Sequence, residues 1–144
     1  MPENVWWKNE IIYQIYPKSF LDTNGDGIGD IKGIEQKIPY LKELGVDALW
    51  LSPVYLSPQI DNGYDITDYR SIAPIFGKNQ DMYDLIAVAH ENGIRIIMDF
   101  VANHTSDQCL WFKESCKGPD NFFSDFYIWR DEPNNWGSNF GGSA

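Results

Sequence analysis

The spacing of apolar and polar positions changes along the chain, and each change marks an element. Ile11-Ile12-Tyr13-Gln14-Ile15-Tyr16 is a β-branched and aromatic run stopped by Pro17, which predicts a strand. From Ile31 to Leu44, apolar Ile34, Ile38, Leu41 and Leu44 recur at steps of four and three. That spacing predicts an amphipathic helix, bent or restarted at Pro39 and capped by Gly45. Val46 to Leu51 predicts a short buried strand ended by Ser52-Pro53, and Val54 to Lys78 is a long irregular stretch rich in Pro, Asn, Gly and Tyr. Asn79 to Asn92 predicts a second helix with Met82, Leu85, Ile86 and Ala89 on one face and Gly93 closing it. Ile94 to Phe100 is a third strand. Strand, helix, strand, helix, strand is an α/β order that demands a parallel sheet with right-handed crossovers. After Asn103-His104 the periodicity fades into aromatic-rich loops, and Trp136 to Ala144 reads as the middle of a loop. Three strands are too few for a closed barrel, which takes eight units and about 250 residues, so the chain reads as cut short.

Composition narrows the partners. The chain has 144 residues, 43% of them hydrophobic, with 11 Lys+Arg against 21 Asp+Glu and a formal charge of −10. It can bury a core, but its basic residues form no run and arginine occurs only as Arg70, Arg95 and Arg130, which argues against nucleic acid or anionic lipid. No apolar stretch approaches the ~18 residues of a membrane span, and the start lacks a signal-peptide pattern. Cys109 and Cys116 have no CxxC spacing; they could pair, or remain free thiols in a reducing cytoplasm. Aromatics at 15% are the outlier. Most belong in a core, yet flat rings in a cleft suit ligands with apolar faces and polar edges, sugars among them.

Three loops carry chemistry. Asp22-Thr23-Asn24-Gly25-Asp26-Gly27-Ile28-Gly29-Asp30 offers oxygens at alternate positions, Asp22, Asn24, Asp26 and Asp30, with the Ile28 carbonyl between them. A hard cation such as Ca²⁺ wants that shell, although Gly33 stands where an EF-hand has its bidentate Glu. A metal-free Asx turn is the alternative. The glycines before a helix also invite a dinucleotide reading, which the three aspartates exclude by repelling a pyrophosphate. Asp61-Asn62-Gly63-Tyr64-Asp65 flanks a ring with two carboxylates at a glycine turn, so that the ring can lie flat while carboxylates accept hydroxyls; an ordinary polar turn is the plainer alternative. Asp99-Phe100-Val101-Ala102-Asn103-His104 sits at the carboxyl end of the third strand, where parallel α/β folds gather their ligand sites. A structural Asp and His at that place is the plainer alternative.

These motifs, with Trp6-Trp7, Tyr13-Gln14-Ile15-Tyr16-Pro17 and Trp50-Leu51-Ser52-Pro53 in the same order, strongly resemble glycoside hydrolase family 13. Within it, the chain looks like the amino-terminal part of an oligo-1,6-glucosidase or related α-glucosidase. The resemblance implies the first three βα units of a (β/α)₈ TIM barrel over residues 1–104, and over 105–144 the start of a B domain inserted after the third strand. It implies a retaining hydrolase of short α-linked oligosaccharides, cytoplasmic, with Tyr64 stacking under a glucose and Asp61 binding its hydroxyls. His104 resembles a donor to the 6-hydroxyl, and Asp99 a residue that orients the nucleophile and an active-site arginine. Asp22, Asn24, Asp26, the Ile28 carbonyl and Asp30 resemble the family's calcium loop. The nucleophile and the acid/base residue belong to later strands, so these residues alone are expected to be inactive. Trehalose-phosphate hydrolases and sucrose isomerases share many of the motifs. A non-catalytic relative serving as an interaction module, or a free-standing calcium module, are the readings from other classes.

Overall fold

The computed structural model describes residues 5–132, 135–138 and 141–142. Asn139, Phe140, Ser143 and Ala144, part of the terminal stretch that the sequence reads as loop, lie outside the described residues. The chain divides into two compact units, Met1–Cys109 and Leu110–Ala144.

In the first unit, β1 (Ile12–Ile15), β2 (Ala48–Leu51) and β5 (Arg95–Met98) form a parallel sheet in the order β1-β2-β5. The register aligns Ile15, Leu51 and Met98 in one row and Gln14, Trp50 and Ile97 in the row before it. Side chains alternate across a pleat, so Ile15, Leu49 and Leu51 turn to one face and bury there. Against that face pack α1 (Ile31–Gln36), α2 (Ile38–Glu43) and α3 (Asn79–Glu91) through Ile31, Ile34, Ile38, Leu41, Met82, Leu85 and Ala89.

The first predicted helix is two. The break falls at Lys37 (φ −94°, ψ 0°), before Pro39 and not at it. Proline lacks the N–H that would bond the Glu35 carbonyl, and its ring would strike that carbonyl in a continuous helix. Placed in the first turn of α2, the same ring costs nothing, because that N–H has no partner there. Leu44, expected on the buried face, is 52% exposed, since α2 ends at Glu43. Asp30 starts α1 by accepting the Gly33 amide at 2.8 Å.

The stretch from Val54 to Lys78 is more ordered than its composition predicts. It contains an antiparallel hairpin of β3 (Tyr55–Leu56) and β4 (Asp68–Ile72), irregular at Tyr55/Leu56. Asn79, the first residue of α3, holds β4 from both sides: its Oδ1 accepts the Ile72 amide and its Nδ2 donates to the Arg70 carbonyl, each at 2.9 Å. At the opposite end of the sheet, Arg95 donates to both oxygens of Glu10 at 2.6 Å and lies over the Trp6 ring at 4.7 Å.

In the second unit, α4 (Leu110–Ser115) and a 3-10 turn at Ser124–Phe126 are joined by rings. Phe112 stacks on Trp129 with centroids 5.7 Å apart and meets Tyr127 edge-on at 5.2 Å. Asn121 ties the connection by donating to the Gly118 and Glu114 carbonyls. Cys109 is buried, Cys116 is exposed, and both are free. Among the described residues no helix is long and apolar enough to cross a membrane.

Two glycines separate crowding from backbone strain. A Cβ on Gly33 would lie 2.2 Å from the Leu21 carbonyl oxygen, whereas one on Gly45 meets nothing but would sit at φ +87°. Gly33→Ala is expected to lose about 3 kcal/mol or more, the upper end of overpacking penalties, and Gly45→Ala only about 1–2 kcal/mol. Urea unfolding of the two variants measures the difference; equal losses would contradict the packing around Gly33.

Candidate functional site

Parallel pairing sends the residues after β1, β2 and β5 out at one rim. They are Tyr16, Ser52 and Asp99. Gln14, whose row faces away from the helices, donates to the Ser52 hydroxyl at 3.3 Å. The loop after β3 then brings Tyr64 to the rim, where its hydroxyl donates to Asp99 Oδ2 at 2.9 Å. Burial pushes the Tyr64 phenol up, and the Asp99 carboxylate pushes it further, so it stays a donor through neutral pH.

The turn that presents Tyr64 is strained. Gln59 (φ 63°) and Asn62 (φ 51°) are the non-glycine residues in the left-handed region among those described, and both lie in this loop beside Gly63 at φ 97°. The loop is held in three ways. The Tyr64 amide donates to the Asp61 carbonyl at 3.0 Å. Tyr16 donates to Asn62 Oδ1 at 3.3 Å. Asp65 accepts the Ser57 hydroxyl at 2.7 Å and the Ile60 amide at 3.0 Å. Asp65 is therefore committed to its own loop, contrary to the expectation that both flanking carboxylates face a ligand. Asp61 stays exposed one turn from the ring.

His104 joins the group from the segment after β5. Its Nε2 lies 3.2 Å from the Tyr64 carbonyl, and its Nδ1 lies 3.2 Å from Asn103 Nδ2. A carbonyl only accepts, so Nε2 carries the proton and, in the neutral ring, Nδ1 accepts from Asn103. Tyr64 thus joins the other two, its hydroxyl bonded to Asp99 and its carbonyl to His104.

The acidic loop is a ladder of Asx turns. Asp22 accepts the Asn24, Gly25 and Gly27 amides, Asn24 accepts Asp26, and Asp26 accepts Ile28, at 2.7–3.0 Å. The Gly27 and Gly25 amides hold the Asp22 carboxyl below its usual range. Asp30 closes the loop: Oδ2 accepts the Thr23 amide and hydroxyl, and Oδ1 caps α1. The donors are hard oxygens of the kind Ca²⁺ takes, and Asp22 is ionised. Among the described residues, however, no group of three or more His, Cys, Asp or Glu side chains stands positioned around one point to hold a metal.

Residues 14–144 match the family model of the alpha-amylase catalytic domain. The chain belongs to the alpha-amylase family, glycoside hydrolase family 13. It is 60% identical to an oligo-1,6-glucosidase of Heyndrickxia coagulans and 60% identical to a glucan 1,6-alpha-glucosidase of Streptococcus pneumoniae. Each alignment covers 96% of this chain but 26% of the relative, so the chain spans about a quarter of the length of those proteins. Among solved structures, a trehalose-6-phosphate hydrolase of Bacillus licheniformis matches with a TM-score of 0.92 at 55% identity. A trehalulose synthase matches with 0.93 at 53%, and again 96% of this chain and 26% of each structure are covered. The fold is that of the TIM barrel, of which these residues supply three parallel strands.

Of the residues that the family resemblance assigned to substrate, the structure brings Tyr64, Asp99 and His104 into one cluster and leaves Asp61 on the exposed side of the same turn. Sequence reasoning did not single out Gln14, Tyr16, Ser52, Asn62, Tyr69 or Asn103. The rule that flagged Asp99, a polar residue just past a parallel strand, applies equally to Tyr16 and Ser52.

The carboxylates of this glycosidase-family loop also set its acid stability. The Ser57 hydroxyl and neighbouring amides outweigh the burial that would raise Asp65, and Asp68 is lowered by the Ser71 hydroxyl and the Arg70 amide, both from an ordinary 3.8. A depressed folded pKa adds stability above the unfolded value and loses it as pH falls through the folded one. The melting temperature should therefore drop below pH about 4, and Asp65→Asn should flatten that drop. Melting curves between pH 7 and 3 test it, and an unchanged slope in the variant would refute the assignment.

Proposed function

We propose that the chain is the rim-forming first part of a retaining α-glucosidase that cleaves glucose from short α-linked oligosaccharides. The observation that carries this reading is the Tyr64–Asp99–His104 cluster at the carboxyl ends of parallel strands. An aromatic ring offers its face to the apolar side of a pyranose, the exposed Asp61 accepts hydroxyls, and the Nε2–H of His104 would exchange the Tyr64 carbonyl for a primary hydroxyl. Asp99 anchors the far end of the Tyr64 ring through its hydroxyl.

Retaining hydrolysis needs a nucleophilic carboxylate and an acid about 5–5.5 Å apart. In this reading both belong to later strands of the barrel, and the residues in hand bind and orient the sugar. Residues 105–144 begin the B domain inserted after the third strand. A cytoplasmic location agrees with the free thiols of Cys109 and Cys116. The relatives named oligo-1,6-glucosidase and glucan 1,6-alpha-glucosidase favour the 1,6 linkage. Product analysis on isomaltose, trehalose 6-phosphate and sucrose separates hydrolysis of that linkage from the reactions named for the structural relatives.

In the intact enzyme, Tyr64→Ala is expected to lower kcat/KM by roughly 100-fold or more, since stacking that strengthens at the transition state is lost. Steady-state kinetics on an aryl α-glucoside checks it, and wild-type values in both Tyr64→Ala and His104→Ala would remove these residues from the site.

We also propose that Asp22, Asn24, Asp26, the Ile28 carbonyl and Asp30 hold one structural Ca²⁺. Its effect would be stability and not chemistry, because Asp30 couples the loop directly to the start of α1. Chelation should lower the melting temperature and added calcium restore it, by the linkage that stabilises any state that alone binds a ligand. Calorimetry with and without chelator decides; no shift and no bound metal would refute the site.

A further inference from the structure

The segment that carries His104 is suspended from the hairpin loop and β4, beyond the strand that precedes it. After Met98 the chain leaves the sheet, and four hydrogen bonds fix the backbone and imidazole of residues 101–106. The Tyr69 hydroxyl reaches the Val101 carbonyl at 2.8 Å and the His104 carbonyl at 2.9 Å. The Ser106 amide donates to the Ile66 carbonyl at 2.9 Å, and His104 Nε2 reaches the Tyr64 carbonyl at 3.2 Å. The three partner residues are Tyr64, Ile66 and Tyr69.

We propose that Tyr69 is a positioning residue for His104, its hydroxyl clamping the carbonyls of Val101 and His104 so that the imidazole is held beside the Tyr64 carbonyl, within reach of substrate. A phenol has one proton, so it bridges the two carbonyls in a shared bond and holds them convergent. Both carbonyls, 32 and 35 residues away in sequence, must therefore stay at one point for the bond to form. The Tyr69 ring is itself set by the hairpin: it lies 6.1 Å from Tyr55 across the β3–β4 pair. Among the described bonds, the one from Tyr69 is what fixes the backbone of His104 at its carbonyl. The Asn103 and Tyr64 contacts act on the imidazole and leave the main chain free to turn.

This inference rests on the reading of His104 as a sugar contact, and the test keeps the two apart. In the intact enzyme, Tyr69→Phe keeps the ring and removes the clamp. It is expected to lower kcat/KM for an aryl α-glucoside by roughly three- to tenfold, the scale of one lost hydrogen bond, and to cost nothing further in a His104→Ala background. An equal loss in both backgrounds, or no loss beside His104, overturns the proposal. Should the wild-type enzyme cleave no α-glucoside, the functional reading fails while the clamp is still judged by spectroscopy. The imidazole carbon resonances of His104, identified by their disappearance in His104→Ala, should move in Tyr69→Phe, and unmoved resonances overturn it.

Discussion

Parallel hydrogen bonding between β1, β2 and β5 constrains everything else in the first unit. Two parallel neighbours cannot be joined by a tight turn, so each connection must cross back along the sheet, and a helix is the compact way to do so. The loops that leave the carboxyl ends then share one rim regardless of their length. Register finishes the placement. With Ile15, Leu51 and Met98 in one row, Tyr16, Ser52 and Asp99 leave the sheet side by side. A slip of one residue would move Leu49 and Leu51 off the helix-facing side and expose the core, so burial of those two side chains enforces the geometry of the rim.

The hairpin is the second scaffold, and it works through polar atoms more than through apolar ones. Its loop holds the strained Gln59 and Asn62, a conformation that costs of order 1–3 kcal/mol per residue and persists only when the surroundings over-determine it. Those surroundings are identifiable: Asp65 on Ser57 and Ile60, Tyr16 on Asn62, and Asn79 on β4. The Gln59 amide is the exception, with both of its polar atoms buried and unpartnered.

Buried carboxylates serve as joints between elements. Asp30 links the acidic loop to the start of α1 by accepting from the Thr23 amide, the Thr23 hydroxyl and the Gly33 amide. The two bonds from Thr23 also close the loop, so a change in the loop is felt at the helix terminus. Asp81 does the equivalent for α3, accepting the Lys78 amide at 2.9 Å while Lys32 from α1 stands 3.7 Å away. The Asp81 carboxylate also leaves no room for a side chain at Gly77, where a Cβ would lie 2.7 Å from its oxygen.

Local pattern was enough to place the three strands and α3 to within a residue or two at most ends, because each strand is a short β-branched or apolar run bounded by glycine or proline and α3 keeps one apolar stripe. It also placed Asp99 at a strand end, where the run Ile94 to Met98 gives way to a carboxylate, and Tyr64 in a turn after Gly63. The hairpin was illegible: β3 has two residues and β4 lacks strict alternation, so neither carries a period, and their pairing depends on Asn79 and the sheet beneath. The halves of the first helix were legible only as one element, because periodicity runs through Lys37 while the ring of Pro39 breaks the backbone without disturbing the apolar stripe. Spacing and composition did not tell Asp61 from Asp65; the family resemblance alone singled out Asp61. Both flank the same ring at the same turn, and the folded loop supplies the physical reason, by aiming the Ser57 hydroxyl and the Ile60 amide at Asp65 and leaving Asp61 open to solvent.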